Sequence, residues 1–197
     1  MRRDFEFFQR RYEQIEDDLL EILDFIDIKE DFDQHCYKVG ASKLMDFCLK
    51  VGTEVETLFR EILKSKRFDP VTDISKKREK QNMNVYRELI EPEYGLSDYK
   101  LTIRPINKEI HPFEDFKRGN NPEWFRIYSK YKHDKIELIE QWNLKHSLFS
   151  LGCLLILVIN HPSLDGKEFR MHKVSQKVFD LLSSTPRFSR VNISVKF

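Results

Sequence analysis

Glycine and cysteine are scarce in this sequence, and charge of neither sign dominates it. Six glycines among 197 residues, beside sixteen phenylalanines, argue against a disordered chain or a turn-rich all-β fold. The 34 basic residues are balanced by 33 acidic ones, so net charge alone indicates neither a nucleic-acid partner nor a membrane partner. A hydrophobic content of 40% with 34% charged residues is typical of a folded, helix-rich domain with one sizeable core.

Long hydrophobic runs are also missing. The longest, "LFSLGCLLILVI" at 148–159, has twelve residues, which is too short to cross a bilayer and suits a buried helix. The first residues mix charges at once and contain no apolar stretch of the kind found in signal peptides. The sequence therefore predicts a cytoplasmic protein that does not enter a membrane.

The usual signatures of metal and cofactor sites are absent. Cys36, Cys48 and Cys153 form no CxxC pair, which excludes a disulfide framework or a cysteine zinc site, and the last two lie in apolar runs where buried thiols are common. The sequence has no phosphate-binding loop and no GxSxG motif. Five histidines lack metal-ligand spacing: His35, His111, His146, His161 and His172. We predict no metal and no cofactor, and interpret His146 as a histidine buried in a helical bundle.

Apolar residues at alternating steps of three and four predict long amphipathic helices. One such stripe runs from Phe5 to Ile26, and a second from Ala41 to Ile62. With the segments around "PEWF" and the apolar run, they predict helices at about 3–28, 38–66, 122–138 and 141–160. We interpret these helices as one bundle; a coiled-coil dimer of the first helix is the alternative.

The middle of the chain has a weaker pattern. We expect a single domain over residues 1–197 with a less regular insertion at about 67–121. Within it, "REKQNMNVYRELI" predicts a short helix that ends before Pro92. Alternating residues in 99–106 and again in 190–197 indicate strands. The predicted fold class is therefore mainly α, a helical bundle with a small two-stranded β element from these distant segments, and Pro105 indicates an edge strand or a strand end.

The stretch "PEWFRIYSKYKHDKIELI", residues 122–139, places an arginine seven positions before a histidine. At about 100° per residue, Arg126, Lys130 and His133 share one face of a helix. Trp124, Tyr128 and Tyr131 lie on the opposite face, toward the predicted core. Seven residues rise roughly 10 Å along the axis, so the arginine and the histidine are aligned but not in contact. Glu54 and Glu56 of the second helix are predicted to pair with Lys130 or Lys132, as structural ion pairs or to orient the histidine.

An aligned arginine and histidine are suited to phosphodiester cleavage. Histidine moves protons near neutral pH, and arginine stabilises the negative charge that a phosphate develops in the transition state. The lysines of the same helix would bind phosphates of single-stranded RNA. The alternative interpretation of this face is an ordinary solvated helix surface.

Several segments of the sequence also resemble a known family. "YSKYKHDKIELIEQWNLKHSLFSLGCLLILV", preceded by "HPFEDF" and "PEWF", resembles the HEPN superfamily of all-α domains from prokaryotic toxin–antitoxin, abortive-infection and other defence systems. The similarity is greatest to the branch with a YxxxKHD-type helix, and "ASKLMDFCLKVGTEVETLFREIL" resembles an earlier core helix of that family.

The resemblance implies a HEPN-like bundle, a homodimer, and in active members a metal-independent endoribonuclease acting as a toxin or antiphage effector, restrained or accompanied by an antitoxin or other defence-system protein. Carried onto this chain, it implies Arg126 and His133 as catalytic residues. The same helix supplies the predicted RNA-binding residues Lys130, Lys132, Asp134 and Lys135. In active members the residue after the arginine is usually polar, and here it is Ile127. The alternative is a non-catalytic module of the same fold that binds protein, nucleotide or RNA.

Overall fold

The computed structural model describes residues 5–26, 42–64, 82–132, 142–164 and 177–182. These residues contain six α-helices and three short strands, which confirms the prediction of a mainly α fold with a small β element. The helices are α1 (Phe5–Leu23), α2 (Ser42–Leu63), α3 (Met83–Tyr94), α4 (Glu114–Lys117), α5 (Glu123–Tyr131) and α6 (Leu144–Ile159). The strands are β1 (Lys100–Ile103), β2 (Lys108–Ile110) and β3 (Phe179–Leu182).

Helix α6 lies at the centre of the bundle because it is apolar on every side. It packs against α1, α2 and α5, and its side chains from Leu151 to Val158 are all buried. Helix α2 packs on α1, α3 and α5 as well. Cys48 of α2 and Cys153 of α6 are buried free thiols, as predicted, and burial raises the pKa of each.

The three–four stripes predicted the buried faces of α1 and α2 correctly. On α1 the stripe from Phe8 to Ile22 is buried, and on α2 the stripe from Leu44 to Ile62 is buried. The first helix ends at Leu23 and is shorter than expected. After it, the N–H groups of Phe25 and Ile26 donate to the carbonyls three residues back, which tightens the chain into a turn. The expected extensions 27–28, 38–41, 65–66 and 133–138 lie outside the described residues.

Helix α3 corrects one prediction. It continues through Pro92 to Tyr94 rather than ending before the proline. Pro92 lies in the last turn, where the missing N–H removes a single hydrogen bond. The helix ends instead at Gly95, whose φ of 56° is left-handed and whose N–H donates to the Glu91 carbonyl at 2.8 Å.

The sheet has three antiparallel strands in the order β2-β1-β3. Leu101 lies opposite Ile110 on one side of β1 and opposite Leu181 on the other. Strand β1 is therefore central, and Pro105 marks its end rather than an edge. The second edge of β1 is occupied by β3, Phe179–Leu182; the expected strand at 190–197 lies outside the described residues.

The described part of the expected insertion, residues 82–121, belongs to the same core as the bundle. Tyr86 of α3 stacks on Phe59 of α2 with ring centroids 4.8 Å apart, and Phe113 packs edge-on against Phe59. Gly152 of α6 lets Pro112 and Leu101 approach closely, since an added Cβ would be only 2.9 Å from Pro112. This packing brings the turn before α5 against the bundle.

Candidate functional site

Helix α5 begins where a tight turn ends. Gly119 has a φ of 73°, which favours glycine, and Pro122 precedes the first helical residue. The Pro122 carbonyl accepts from the N–H groups of Phe125 and Arg126 at 3.0 and 3.2 Å. The Glu123 N–H at the start of the helix lies close enough to the Asp115 carboxylate to lower its pKa.

The inward face of α5 packs as predicted. Trp124, Tyr128 and Tyr131 are buried, and Phe125 and Ile127 are buried beside them. Gly52 of α2 lies directly against the Tyr128 ring: an added Cβ would be 2.3 Å from its nearest carbon. The helix is therefore fixed to the bundle along one side.

The outward face carries the charged residues. Arg126 and Lys130 are exposed and Ser129 is half-buried between them. The Arg126 guanidinium lies 3.7 Å from the Glu123 carboxylate, with the two side chains 65% and 51% exposed. Lys130 makes no ion pair with any residue in the described ranges. His133, Asp134 and Lys135 lie outside the described residues, so their catalytic and RNA-binding roles stay predictions.

A cleft of about 600 Å³ lies beside this outward face. This volume is within the range of small-molecule sites. Arg126 and Lys130, from the predicted basic face of α5, line the cleft together with Ser129. The other lining residues are Glu123 and Phe125 of α5 and, from the segment before it, Asp115, Asn120 and Asn121. The cleft therefore joins the predicted basic face to acids and amides that sequence reasoning missed.

Asn121 is held in place by helix α3. The Arg87 guanidinium donates to Asn121 Oδ1 at 3.0 Å, and Asn121 Nδ2 donates to Asn84 Oδ1 at 3.0 Å. Because Nδ2 carries two hydrogens, one donor is left over from these bonds. In the sequence, Asn121 stands in "GNNPEW", a break directly before the helix, and nothing local marks its side chain as part of a site.

Asp115 and Glu123 give the cleft two carboxylates in different surroundings. Burial raises the pKa of Asp115, and the nearby Glu114 and Glu123 raise it further, while Arg118 and the Glu123 N–H lower it. No described cation lies within ion-pair distance of Asp115. Glu123, in contrast, faces Arg126 with one oxygen and His146 with the other, at 3.7 and 3.5 Å.

His146 is buried at the start of α6, as predicted for a bundle histidine. Its ring lies 5.5 Å from that of Trp142, and Asn143 caps the helix by accepting from the His146 N–H at 3.1 Å. Its contact with Glu123 was not expected. The imidazole thus lies behind the wall of the cleft rather than in it.

The two predicted RNA-binding lysines in the described part of α5 point to different neighbours. Lys130 lines the cleft. Lys132 instead donates to Glu56 of α2 at 2.7 Å and lies 4.7 Å from the centre of the Tyr128 ring. The predicted Glu56–Lys132 ion pair is confirmed. Glu54 pairs with Arg11 of α1 at 2.8 Å and not with a lysine of α5.

The cleft combines cations, amides and the carboxylates of Asp115 and Glu123. Cations bind phosphate oxygens, whereas amides and carboxylates bind hydrogen-bonding groups of a base. Among the described residues no group of histidines, cysteines and acids has the arrangement of a metal site. In the same ranges, no helix has the length and hydropathy needed to span a membrane.

Comparison of the chain with known protein families, with curated proteins and with solved structures gives no match.

Proposed function

We propose that this protein is a metal-independent endoribonuclease of the HEPN type that acts as a toxin or antiphage effector. The observation that carries the proposal is the cleft along α5, where Arg126 and Lys130 line one wall. The resemblance of the YxxxKHD helix to that superfamily supplies the reaction. RNA is the substrate because a chain of phosphates suits exposed cations beside an opening of this size.

In the proposed reaction Arg126 stabilises charge and His133 moves protons. A proton leaves the ribose 2′-OH, the O2′–P bond forms, the P–O5′ bond breaks, and a proton reaches O5′. The products are a 2′,3′-cyclic phosphate and a 5′-hydroxyl. Arg126 would bind the phosphate oxygens that gain charge as the O2′–P bond forms.

We propose that the active form is a homodimer. In the helix predicted from the sequence, Arg126 and His133 lie roughly 10 Å apart along the axis, and a two-fold arrangement would let each chain contribute to one shared site. Light scattering at micromolar concentration should give twice the 23.8 kDa of one chain. A monomer under those conditions would contradict the dimer.

The decisive experiment incubates the purified protein with total RNA, with and without EDTA, beside His133→Ala and Arg126→Ala. Each substitution should reduce cleavage about 10²–10⁴-fold, the usual value of proton transfer or of charge stabilisation. Arg10→Ala is a matched control, because Arg10 is also an exposed helical arginine 3.7 Å from a glutamate. Cleavage should persist in EDTA.

The second candidate is a non-catalytic module that binds RNA or nucleotide in the same cleft. Glu123 favours it, since its carboxylate shares the Arg126 guanidinium with any phosphate, and Ile127 is buried where active members usually carry a polar residue. In this case the wild type binds RNA on filters and cuts nothing. Equal cleavage by wild type and His133→Ala would also reject the ribonuclease proposal.

A further inference from the structure

The cleft has two chemically different ends. At the start of α5 lie Asp115, Asn120 and Asn121, and two turns further along lies Lys130. From Glu123, whose N–H lies near Asp115, to Lys130 the helix rises roughly 10 Å. That rise is comparable to the length of a nucleoside monophosphate. Acceptors therefore face one end of a ligand of this size and a cation faces the other.

Asp115 is the carboxylate available to a ligand. An ionised carboxylate has about four lone-pair sites on two oxygens, and Arg118, which lowers the pKa of Asp115, pairs with Glu114 at 2.7 Å instead. Glu123 is less available because Arg126 and His146 lie on either side of it.

Guanine is the base whose edge matches a carboxylate. Its N1–H and N2 amino group are adjacent donors, and O6 and N7 are acceptors. The Watson–Crick edges of adenine, cytosine and uracil each place a ring or carbonyl acceptor where the second carboxylate oxygen would lie. The left-over N–H of Asn121 provides a donor for a base acceptor. Phe125, which is 6% exposed, lines the cleft with the edge of a side chain that is otherwise buried.

We propose that the cleft binds one guanosine nucleotide of an RNA strand, with Asp115 reading the base and Arg126 and Lys130 holding the phosphate. This inference rests on the proposed RNA-binding function and assigns the base that the cleft selects. Guanosine phosphate is also the chemistry of a free nucleotide, so the experiment separates the two sources.

The experiment measures binding by calorimetry for guanosine, adenosine, cytidine and uridine monophosphates and for inorganic phosphate. A second arm uses oligouridylate with and without one central guanosine. We expect guanosine monophosphate to bind about tenfold or more tightly than the other three, the usual size of discrimination by one bidentate contact. Tighter binding of the guanosine-containing strand identifies RNA as the source, whereas discrimination among mononucleotides alone identifies the free nucleotide.

Two variants separate base reading from phosphate binding. Asp115→Asn keeps the size of the side chain but replaces one acceptor by a donor, so it should abolish the preference for guanosine. Glu114→Gln is the matched control: it removes the neighbouring acid, which lies outside the cleft and pairs with Arg118 at 2.7 Å. Lys130→Ala should weaken all four nucleotides alike and preserve their order.

Equal affinities for the four mononucleotides, or a guanosine preference that survives in Asp115→Asn with its melting curve unchanged, would overturn the inference. So would a wild type that binds none of these ligands. The failure of the proposed ribonuclease is recognised separately. A protein that discriminates guanosine but cuts no RNA keeps the base site and loses the enzyme, and RNA cleavage without any base preference does the reverse.

Discussion

The two faces of α5 are built from adjacent residues but held by different forces. On the inner face Trp124 and Tyr128 are almost fully buried, and the Tyr128 ring packs so closely on Gly52 that an added Cβ would be 2.3 Å from it. On the outer face Arg126 is 65% exposed and its nearest carboxylate is 3.7 Å away. Dense packing resists change, whereas a long, solvated ion pair contributes little to stability. Substitutions on the two faces should therefore separate folding from binding.

The largest effect is expected on the inner face. Trp124→Ala should lower the free energy of unfolding by about 3–5 kcal/mol, because it removes a side chain that packs against Phe125 and Tyr128 and leaves a cavity. Urea denaturation followed by circular dichroism measures this loss. Arg126→Ala, two residues away on the outer face, should change stability by less than about 0.5 kcal/mol. Similar losses for both would break the distinction between the faces.

Gly52→Ala is expected to have the next largest effect. Alanine is favoured over glycine in a helix by about 1 kcal/mol, but its Cβ would be 2.3 Å from the Tyr128 ring. Overpacking of this kind costs about 1–3 kcal/mol, so the variant should be less stable than the wild type.

A double variant identifies the cause of that loss. With Tyr128→Leu already present, Gly52→Ala should cost much less or even stabilise, because the ring that it meets is gone. If the two losses simply add, as judged by the same denaturation curves, the Gly52–Tyr128 contact is not the reason for the glycine.

These contacts also explain which features the sequence predicted. Local periodicity was enough for the buried stripes of α1 and α2 and for the two faces of α5, because helix geometry places residues three and four apart on one side. It was not enough for β3, which reaches β1 from far along the chain. Similarly, Glu54 finds Arg11 on a different helix. Long-range pairing depends on how the elements pack, and that information is not local.

The residues of the candidate site also fall into those that a local pattern predicts and those that packing brings together. Arg126 and Lys130 were found because they share a helix face. Asp115 and Asn121 were missed because the turn at Gly119 and the anchor to Arg87 bring them to that face. An acid in a short helix or a turn asparagine has the same appearance in a sequence whether it lines a cleft or not.

Asp115 provides a test of the outer face by pH. Burial raises the pKa of this carboxylate, Arg118 lowers it, and Glu114 and Glu123 raise it further. The net result is a pKa above the ordinary 3.8. The ionised form is the one proposed to bind guanine. The ratio of guanosine to uridine monophosphate affinities should therefore fall as pH decreases toward 3.8, and at a higher pH than for an ordinary aspartate.

The same shift has a consequence for folding with a defined sign. A raised acid pKa means that the folded state holds the proton more tightly, so this group's contribution makes the fold less stable as pH rises through the shifted pKa. Asp115→Asn should remove both dependences. A constant affinity ratio across the pH series in the wild type would contradict the role of the carboxylate.

The smallest effect concerns Lys132, which separates the two functions of the lysines on α5. Burial disfavours its charge, but the hydrogen bond with Glu56 and the neighbouring Tyr128 raise the pKa of the ammonium. A double-mutant cycle with Glu56→Gln and Lys132→Met should give a coupling of about 0.2–1 kcal/mol, as for other partly exposed pairs.

In RNA binding, Lys130→Met should reduce the slope of log affinity against log salt by about 0.7, the value of one phosphate contact on a single strand, and Lys132→Met should reduce it less. Zero coupling together with equal slope changes would mean that the contact with Glu56 is incidental, and that Lys132 binds phosphate alongside Lys130.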